Sequence, residues 1–297
     1  MNLTGKNVLI TGANTGIGRV TALEIAKLGA KLTLAGRSEE RTKPVVDAIR
    51  AGGGEAEFLP LDLADLSSVR ATAGMYLEKH DDLTVLVNNA GLAGAQGLTK
   101  DGFEIAFGTN HLGPYLFTRL LLPALERTPD ARVVTVASTG HYRAPGIDWE
   151  AAREPTKTTT AFPEYCVSKL ANVLFAAELA RRVPEVKSYS LHPGAVASDV
   201  WREVPWGLRH IMKLFMLSNE DGAKTTLYCA TSDEVAGASG GYFDKCAERR
   251  ASKLARDEAL ARELWERSAA WVGLPADLAS RAAEPPRAHE KNDFTTP

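Results

Sequence analysis

Tyr165 and Lys169 stand four residues apart in the stretch "YCVSKLANVLFAAELARRV". On a helix, positions i and i+4 share a face, so the lysine ammonium can approach the tyrosine phenol. A phenol normally titrates at about pH 10, and it becomes a usable proton donor and acceptor when a cation favours its ionised form. The same letters also describe a plain helix with a partly buried tyrosine and a solvated lysine. The elements around the pair have to decide between these readings.

The first element bearing on the question is "TGANTGIG", Thr11 to Gly18, which follows the apolar run "NVLI" and opens into a helix pattern. Gly12, Gly16 and Gly18, with Asn14, Thr15 and Ile17 between them, allow a tight turn and a close backbone approach. Amide groups and the positive helix end can then meet a pyrophosphate. The alternative is a glycine-rich turn that merely packs. About twenty residues after such a loop, an NAD site places an acid on the ribose hydroxyls. Here Gly36 and Arg37 end "LAGR", and a guanidinium suits a 2′-phosphate, so NADP(H) is expected over NAD(H). Asp62, with Leu63 beside it in "PLDLADL", could accept a hydrogen bond from an adenine amino group, or Asp62 or Asp65 could cap a helix.

Along the chain, short β-rich runs ("NVLIT", "KLTLAG", "EAEFLPLD", "LTVLVNNAG", "RVVTVAS", "VKSYSLHPG") alternate with helix-patterned segments. Nearly all-apolar strands alternating with helices indicate a parallel sheet covered on both faces. The expected fold class is therefore α/β: a single doubly wound, Rossmann-type domain over residues 1–274. The stretch 198–219 interrupts the pattern with Trp201, Trp206, Ile211, Leu214, Phe215 and Met216, and reads as an apolar lid over a substrate. "SGGYFDK" suggests a last strand and "ARDEALARELWERSAAWV" a last helix. Residues 275–297, with consecutive prolines and few large apolar side chains, read as a flexible tail.

The 297 residues are 44% hydrophobic and 24% charged with a net charge of −2, the balance of a soluble globular chain without the basic field that nucleic acid requires. Three cysteines, Cys166, Cys229 and Cys246, lack metal-ligand spacing and argue for a reducing compartment, without a disulfide framework or a metal. No signal-peptide pattern is present, and no apolar run approaches the roughly 20 residues of a membrane span, so a cytoplasmic location is expected. "WGLRHIMKLFML" leaves room for peripheral membrane contact.

"TGANTGIG", "NNAG" at 88–91, Asn110, Ser138 in "VVTVAST", Tyr165 with Lys169, and "HPG" at 192–194 together resemble the short-chain dehydrogenases/reductases over about residues 3–246. "FGTNHLGPYLFT", "LHPGAV" and "LWERS" look most like the retinol dehydrogenase branch, which acts on retinoids and other apolar carbonyls and alcohols. The resemblance implies Tyr165 as acid/base, Lys169 as its activator and a cofactor ribose ligand, Ser138 as the carbonyl-orienting hydroxyl and Asn110 as anchor of a water relay. It places Asn89, Ala90 and Gly91 along the adenosine ribose, and Pro193, Gly194 and Val196 near the nicotinamide amide. Ser198 stands where the family often has Thr. Family members are often dimers or tetramers, so a homo-oligomer is expected.

Ser138 precedes Tyr165 by 27 residues, about twice the separation in many family members, so residues between them form an insertion able to shape the substrate mouth. His111, His141 and His192 read as hydrogen-bonded structural groups, and Cys166 as facing away from the chemistry. The expected reaction interconverts a carbonyl and an alcohol on an apolar small molecule. The competing readings are reduction of a conjugated carbon–carbon double bond, as in the related protochlorophyllide reductases, and non-catalytic dinucleotide sensing.

Overall fold

A computed structural model describes residues 1–194 and 218–278. In chain order these form β1 (Asn7–Thr11), α1 (Gly16–Lys27), β2 (Lys31–Gly36), α2 (Glu39–Ala51), β3 (Glu55–Pro60), α3 (Leu66–Lys79) and β4 (Val85–Asn88). A single turn α4 (Ile105–Phe107) and a π-helical turn (Gly108–Leu112) lead into α5 (Gly113–Glu126), then β5 (Arg132–Val136), α6 (Phe162–Arg182) and β6 (Lys187–His192). After residues 195–217 come α7 (Asn219–Thr231), β7 (Tyr242–Asp244), β8 (Ala247–Arg249) and α8 (Glu258–Trp271).

The eight strands make one sheet in the order β3-β2-β1-β4-β5-β6-β7-β8. All neighbours pair in parallel except β8, which returns antiparallel on β7. Alternation along β1 shows why both faces are covered. Val8 and Ile10 join the cluster formed with Ala22 and Ile25 of α1 and Val45 and Ile49 of α2. Leu9 joins the opposite cluster, with Val69 of α3, Leu116 of α5, Leu174 of α6 and Trp265 of α8. Side chains of successive strand residues point to opposite faces, so fully apolar strands need helices on both. The β7–β8 hairpin was not expected. Its turn residues Lys245 and Cys246 take positive φ, 52° and 55°, without the Gly or Asn that ordinarily marks such a turn.

The fold also docks residues beyond the boundary expected at 274. The Pro275 carbonyl accepts from Arg119 Nη2 at 2.7 Å, and the Ala276 carbonyl accepts from Trp265 Nε1 at 2.9 Å. Ala276 and Leu278 pack on the cluster beneath α8. The expected tail therefore begins no earlier than the end of this stretch, and residues 279–297 lie outside the described ones. Truncation after Leu274 should lower unfolding stability by about 1–3 kcal/mol, because two buried donors lose their acceptors. Truncation after Leu278 keeps both acceptors and should leave the more stable of the two chains. Urea denaturation of both truncations checks the contrast, and equal stability would show that residues 275–278 contribute nothing.

Candidate active site

In the strand order, β1 lies between β2 and β4, so the chain crosses to the other half of the sheet after β3. Ligands of doubly wound folds bind at this switch point, beyond the carboxyl ends of the strands. A cleft of about 670 Å³ opens there. Gly12, Asn14, Thr15, Gly16, Ile17, Gly18, Arg37, Asp62, Leu63, Asn89, Ala90, Gly91, Ser138, Tyr165, Lys169, Pro193 and Gly194 line it. Val196, Ser198 and the apolar lid residues 201–216 lie outside the described residues.

The glycine loop fits a dinucleotide on its own geometry. Gly12 has φ 70°, and a Cβ there would meet Ala90 Cα at 2.9 Å. A Cβ on Gly18 would strike the Gly12 carbonyl and the Asn89 side chain. These positions keep the backbone bare, with room for a phosphate to approach the N-terminus of α1. Asn89 works partly from behind. Its Nδ2 donates to the Thr11 and Gly12 carbonyls at 2.8 and 3.2 Å, so it ties the loop to the end of β4. Asp65, not Asp62, caps α3, accepting from Ser67 N at 2.9 Å. Asp62 Oδ1 accepts from Ala64 N, and the residue remains on the cleft wall.

At the adenosine end, the sequence reading found Arg37 but missed Ser38 and Arg41, which line the same corner. Ser38 Oγ accepts from Arg41 N at 3.2 Å and so caps α2. Arg41 was detectable in principle, because the first turn of the helix after β2 faces back toward the strand end.

At the other end, Ser138 stands where β5 gives way to a 3₁₀ turn, Thr139–Arg143, and its Oγ accepts from Gly140 N at 3.0 Å. The same hydroxyl is hydrogen-bonded to the Tyr165 phenol. Lys169 is 4% exposed, with Nζ donating to the Val136 carbonyl at 2.9 Å and lying 5.6 Å from the Tyr165 ring centroid. Burial pulls its ammonium down to about 8. In the chain by itself, burial governs the phenol. Burial pushes Tyr165 up to about 12, and the Ser138 hydrogen bond lowers it only in part. Desolvation of phenolate thus outweighs the serine hydrogen bond, and the Lys169 ammonium is turned toward a backbone carbonyl.

Asn110 does not line the cleft. It sits in the π-helical turn, where its Oδ1 accepts from Leu92 N at 2.8 Å and its Nδ2 donates to Leu92 O at 2.9 Å and Ser168 Oγ at 3.0 Å. Ser168 Oγ in turn donates to the Tyr165 carbonyl at 2.7 Å. Asn110 therefore braces the back of the site, and a Cβ on Gly91 would lie 3.1 Å from its Oδ1 and 3.5 Å from Lys169 Nζ.

The insertion contributes Thr139, Gly140, Tyr142, Arg143 and Phe162 to the cleft. Much of its remainder is tied to the loop before α4: Thr156 Oγ1 donates to Glu104 Oε1 at 2.6 Å, and Gln96 Nε2 donates to the Thr159 carbonyl at 2.8 Å. His192 also lines the cleft, with burial holding its ring below the usual range. His111 is buried, its Nε2 2.9 Å from Ser268 Oγ. Cys166 is buried and is not among the lining residues.

A doubly wound sheet with a bare glycine cradle and a Ser–Tyr–Lys set in one cleft defines a dinucleotide-dependent oxidoreductase class. The short chain dehydrogenase family model matches residues 6–207, and the chain belongs to that family, within its retinol dehydrogenase branch. It is 39% identical to human dehydrogenase/reductase SDR family member 13, over 97% of this chain and 79% of the relative. It is 40% identical to human retinol dehydrogenase 11, over 93% of this chain and 89% of the relative. A crystal structure of an uncharacterized protein from Mycobacterium paratuberculosis superposes with a TM-score of 0.76 at 32% identity, covering 93% of this chain and 97% of that one. A Beutenbergia cavernae protein assigned as an NAD(P) dependent gluconate 5-dehydrogenase, solved with NADP at low occupancy, gives 0.66 at 25% identity, over 82% and 96% of the two chains. No described helix is long and apolar enough to cross a membrane.

The Lys169 shift has a thermodynamic consequence. Its pKa falls from 10.5 to about 8 on folding, so the unfolded chain holds the proton more tightly between those values. The penalty on the fold is full below about pH 8 and fades as pH rises to 10.5. Val136 O keeps a second donor, Asn172 Nδ2 at 3.3 Å, so Lys169→Met orphans no acceptor. That variant should be more stable than the parent by on the order of 1–3 kcal/mol at pH 7, with a margin that shrinks toward pH 10. Urea denaturation at the two pH values measures it. A variant less stable at pH 7, with a deficit independent of pH, would mean that the buried ammonium is a net gain to the fold.

Proposed function

We propose that this chain is an NADP(H)-dependent oxidoreductase that interconverts a carbonyl and an alcohol on a largely apolar small molecule, with Tyr165 as the acid/base. The observation that carries this reading is the contact between the Ser138 hydroxyl and the Tyr165 phenol, facing the same cleft as the buried Lys169. Two hydroxyls at one point can bind one carbonyl oxygen as charge develops on it. Ser138 Oγ accepts from Gly140 N, which fixes the hydroxyl beside Tyr165, and its proton would turn from the phenol to the carbonyl oxygen when substrate enters.

Tyr165 then delivers the proton. Burial keeps the phenol protonated at neutral pH, which suits the reductive direction, where an acid is needed. Lys169 has three N–H donors and gives one to Val136; the others are available to ribose hydroxyls on the cleft side. The nicotinamide, when bound, supplies or accepts the hydride. Gly12, Gly16 and Gly18 would admit its pyrophosphate, and Arg37 and Arg41 would hold a 2′-phosphate.

Leu92, Ala93, Ala95, Ile105 and Phe162 line the cleft and support an apolar substrate. The retinol dehydrogenases among the relatives are named for such a molecule, and the Beutenbergia cavernae structure holds NADP.

The test is NADPH oxidation with a panel of apolar aldehydes, ketones and retinoids. Tyr165→Phe should fold and bind NADPH while kcat falls at least about a hundredfold. A folded variant with near-normal turnover would sink the mechanism. Arg37→Ala should weaken NADPH over NADH by roughly 1.5–3 kcal/mol, and Arg41→Ala in the same sense. Titration of both cofactors reads this directly, and equal weakening of the two would assign the corner to something other than a 2′-phosphate.

A further inference from the structure

The turn that carries Ser138 also carries a histidine with no part in the proposed chemistry. His141 is fully buried. Its backbone N–H and its ring Nδ1 both reach one acceptor, the Ser138 carbonyl, at 3.1 and 2.6 Å. Its Nε2 lies 3.2 Å from the backbone N of Ser252, 111 residues further along the chain. A carbonyl can only accept, so Nδ1 carries the proton. A backbone N–H can only donate, so Nε2 is bare. The ring is therefore neutral and in a single tautomer, with both nitrogens engaged. Burial, which holds the imidazole below its usual range, agrees with this.

The ring is also clamped. Tyr142 and Tyr242 have their centroids 4.0 and 4.6 Å from it. Tyr142 repeats the long-range tie, its hydroxyl donating to the Arg250 carbonyl at 2.8 Å. Residues 250–252, which follow the β7–β8 hairpin, thus grip the serine turn through two adjacent side chains. Without the ring donor, the Ser138 carbonyl keeps, among the described residues, the longer bond from His141 N, and the peptide plane next to the serine Cα–Cβ bond can rotate.

We propose that His141 is a positioning residue for Ser138: its Nδ1–H locks the Ser138 carbonyl, and Ser252 N–H locks the ring, so that the serine hydroxyl is held against Tyr165. This role rests on the carbonyl–alcohol reading above. A displacement of about 1 Å at a reacting group can cost on the order of a hundredfold in rate, so the lock acts on kcat rather than on cofactor affinity.

Three variants separate positioning from bulk packing. Asn places its amide N–H about where Nδ1 stands, Gln reaches about where Nε2 stands, and Phe replaces neither. With the carbonyl substrate found in the screen, His141→Phe and His141→Gln should lower kcat by about ten- to a hundredfold, with KM for NADPH within about twofold of the parent. His141→Asn should keep kcat within about threefold. The Asn-against-Gln contrast remains readable if the Phe variant fails to fold. Equal kcat for Asn and Gln, or an unchanged kcat for folded Phe, overturns the role in an active parent.

The lock is also read without turnover, from ¹⁵N shifts of the His141 ring, which should report a neutral Nδ1–H tautomer across neutral pH. An Nε2–H tautomer, or a ring titrating like free imidazole, overturns the geometry. A parent chain that reduces no carbonyl removes the reaction and this role together. That outcome is told apart by an Nδ1–H tautomer that persists.

Discussion

The hydroxyl of Thr11 holds together the place on which the site depends. At the switch point β1 and β4 run side by side and then diverge, leaving backbone donors at their carboxyl ends with no strand partner. Thr11 Oγ1 accepts from Asn89 N and Ala90 N, each at 3.0 Å, and donates to Val87 O at 3.3 Å. Asn89 returns the tie through its own side chain to the Thr11 and Gly12 carbonyls. The glycine loop, which has no side chains to stiffen it, is thereby fixed from the β4 side. Gly12 then packs on Ala90 too closely for any Cβ, and the cleft above stays open to a phosphate.

The same sheet sets a harder problem at the other end of the cleft. Placing Tyr165 and Lys169 on the inner face of α6 buries both, and burial opposes the charged form of each. The two groups are moved in opposite directions, the phenol up and the ammonium down, so both lean toward neutrality. One carbonyl, that of Val136, and one hydroxyl, that of Ser138, are the polar contacts that answer this. The cations at the adenosine corner face no such penalty. Arg37 and Arg41 are exposed. The cleft thus carries exposed cations at one end and a buried one at the other.

What could be read from the sequence was local. The glycine loop declares itself by glycines between a strand and a helix, the parallel sheet by all-apolar strands, and the Tyr165–Lys169 face by helical spacing. Arg37 follows from its place at the end of β2. Three features had no local signal. In the π-helical turn at Gly108–Leu112, Asn110 grips Leu92 and Ser168, partners 18 and 58 residues away. The β7–β8 turn uses Lys245 and Cys246 in a left-handed conformation that no turn residue announces. The phenol's raised pKa depends on how deeply α6 is covered, and helical spacing says nothing about that depth.

Part of the covering comes from the last elements of the chain, beyond the part where the recognisable motifs end. Trp265 of α8 packs edge-on to Tyr115 and accepts that tyrosine's hydroxyl at its carbonyl, 3.2 Å away. Ser268 meets His111, one residue after Asn110, and Ser252 meets His141, three residues after Ser138. Each tie joins a motif residue's neighbour, not the motif residue itself, to a segment more than a hundred positions away. A serine or a backbone N–H in such a segment carries no spacing signature, because its partner is chosen by the tertiary fold. The residues that face the cleft are legible because chemistry restricts their type. The residues that hold them in place are restricted only by shape and by the need to satisfy a buried donor or acceptor, and many side chains can meet that need.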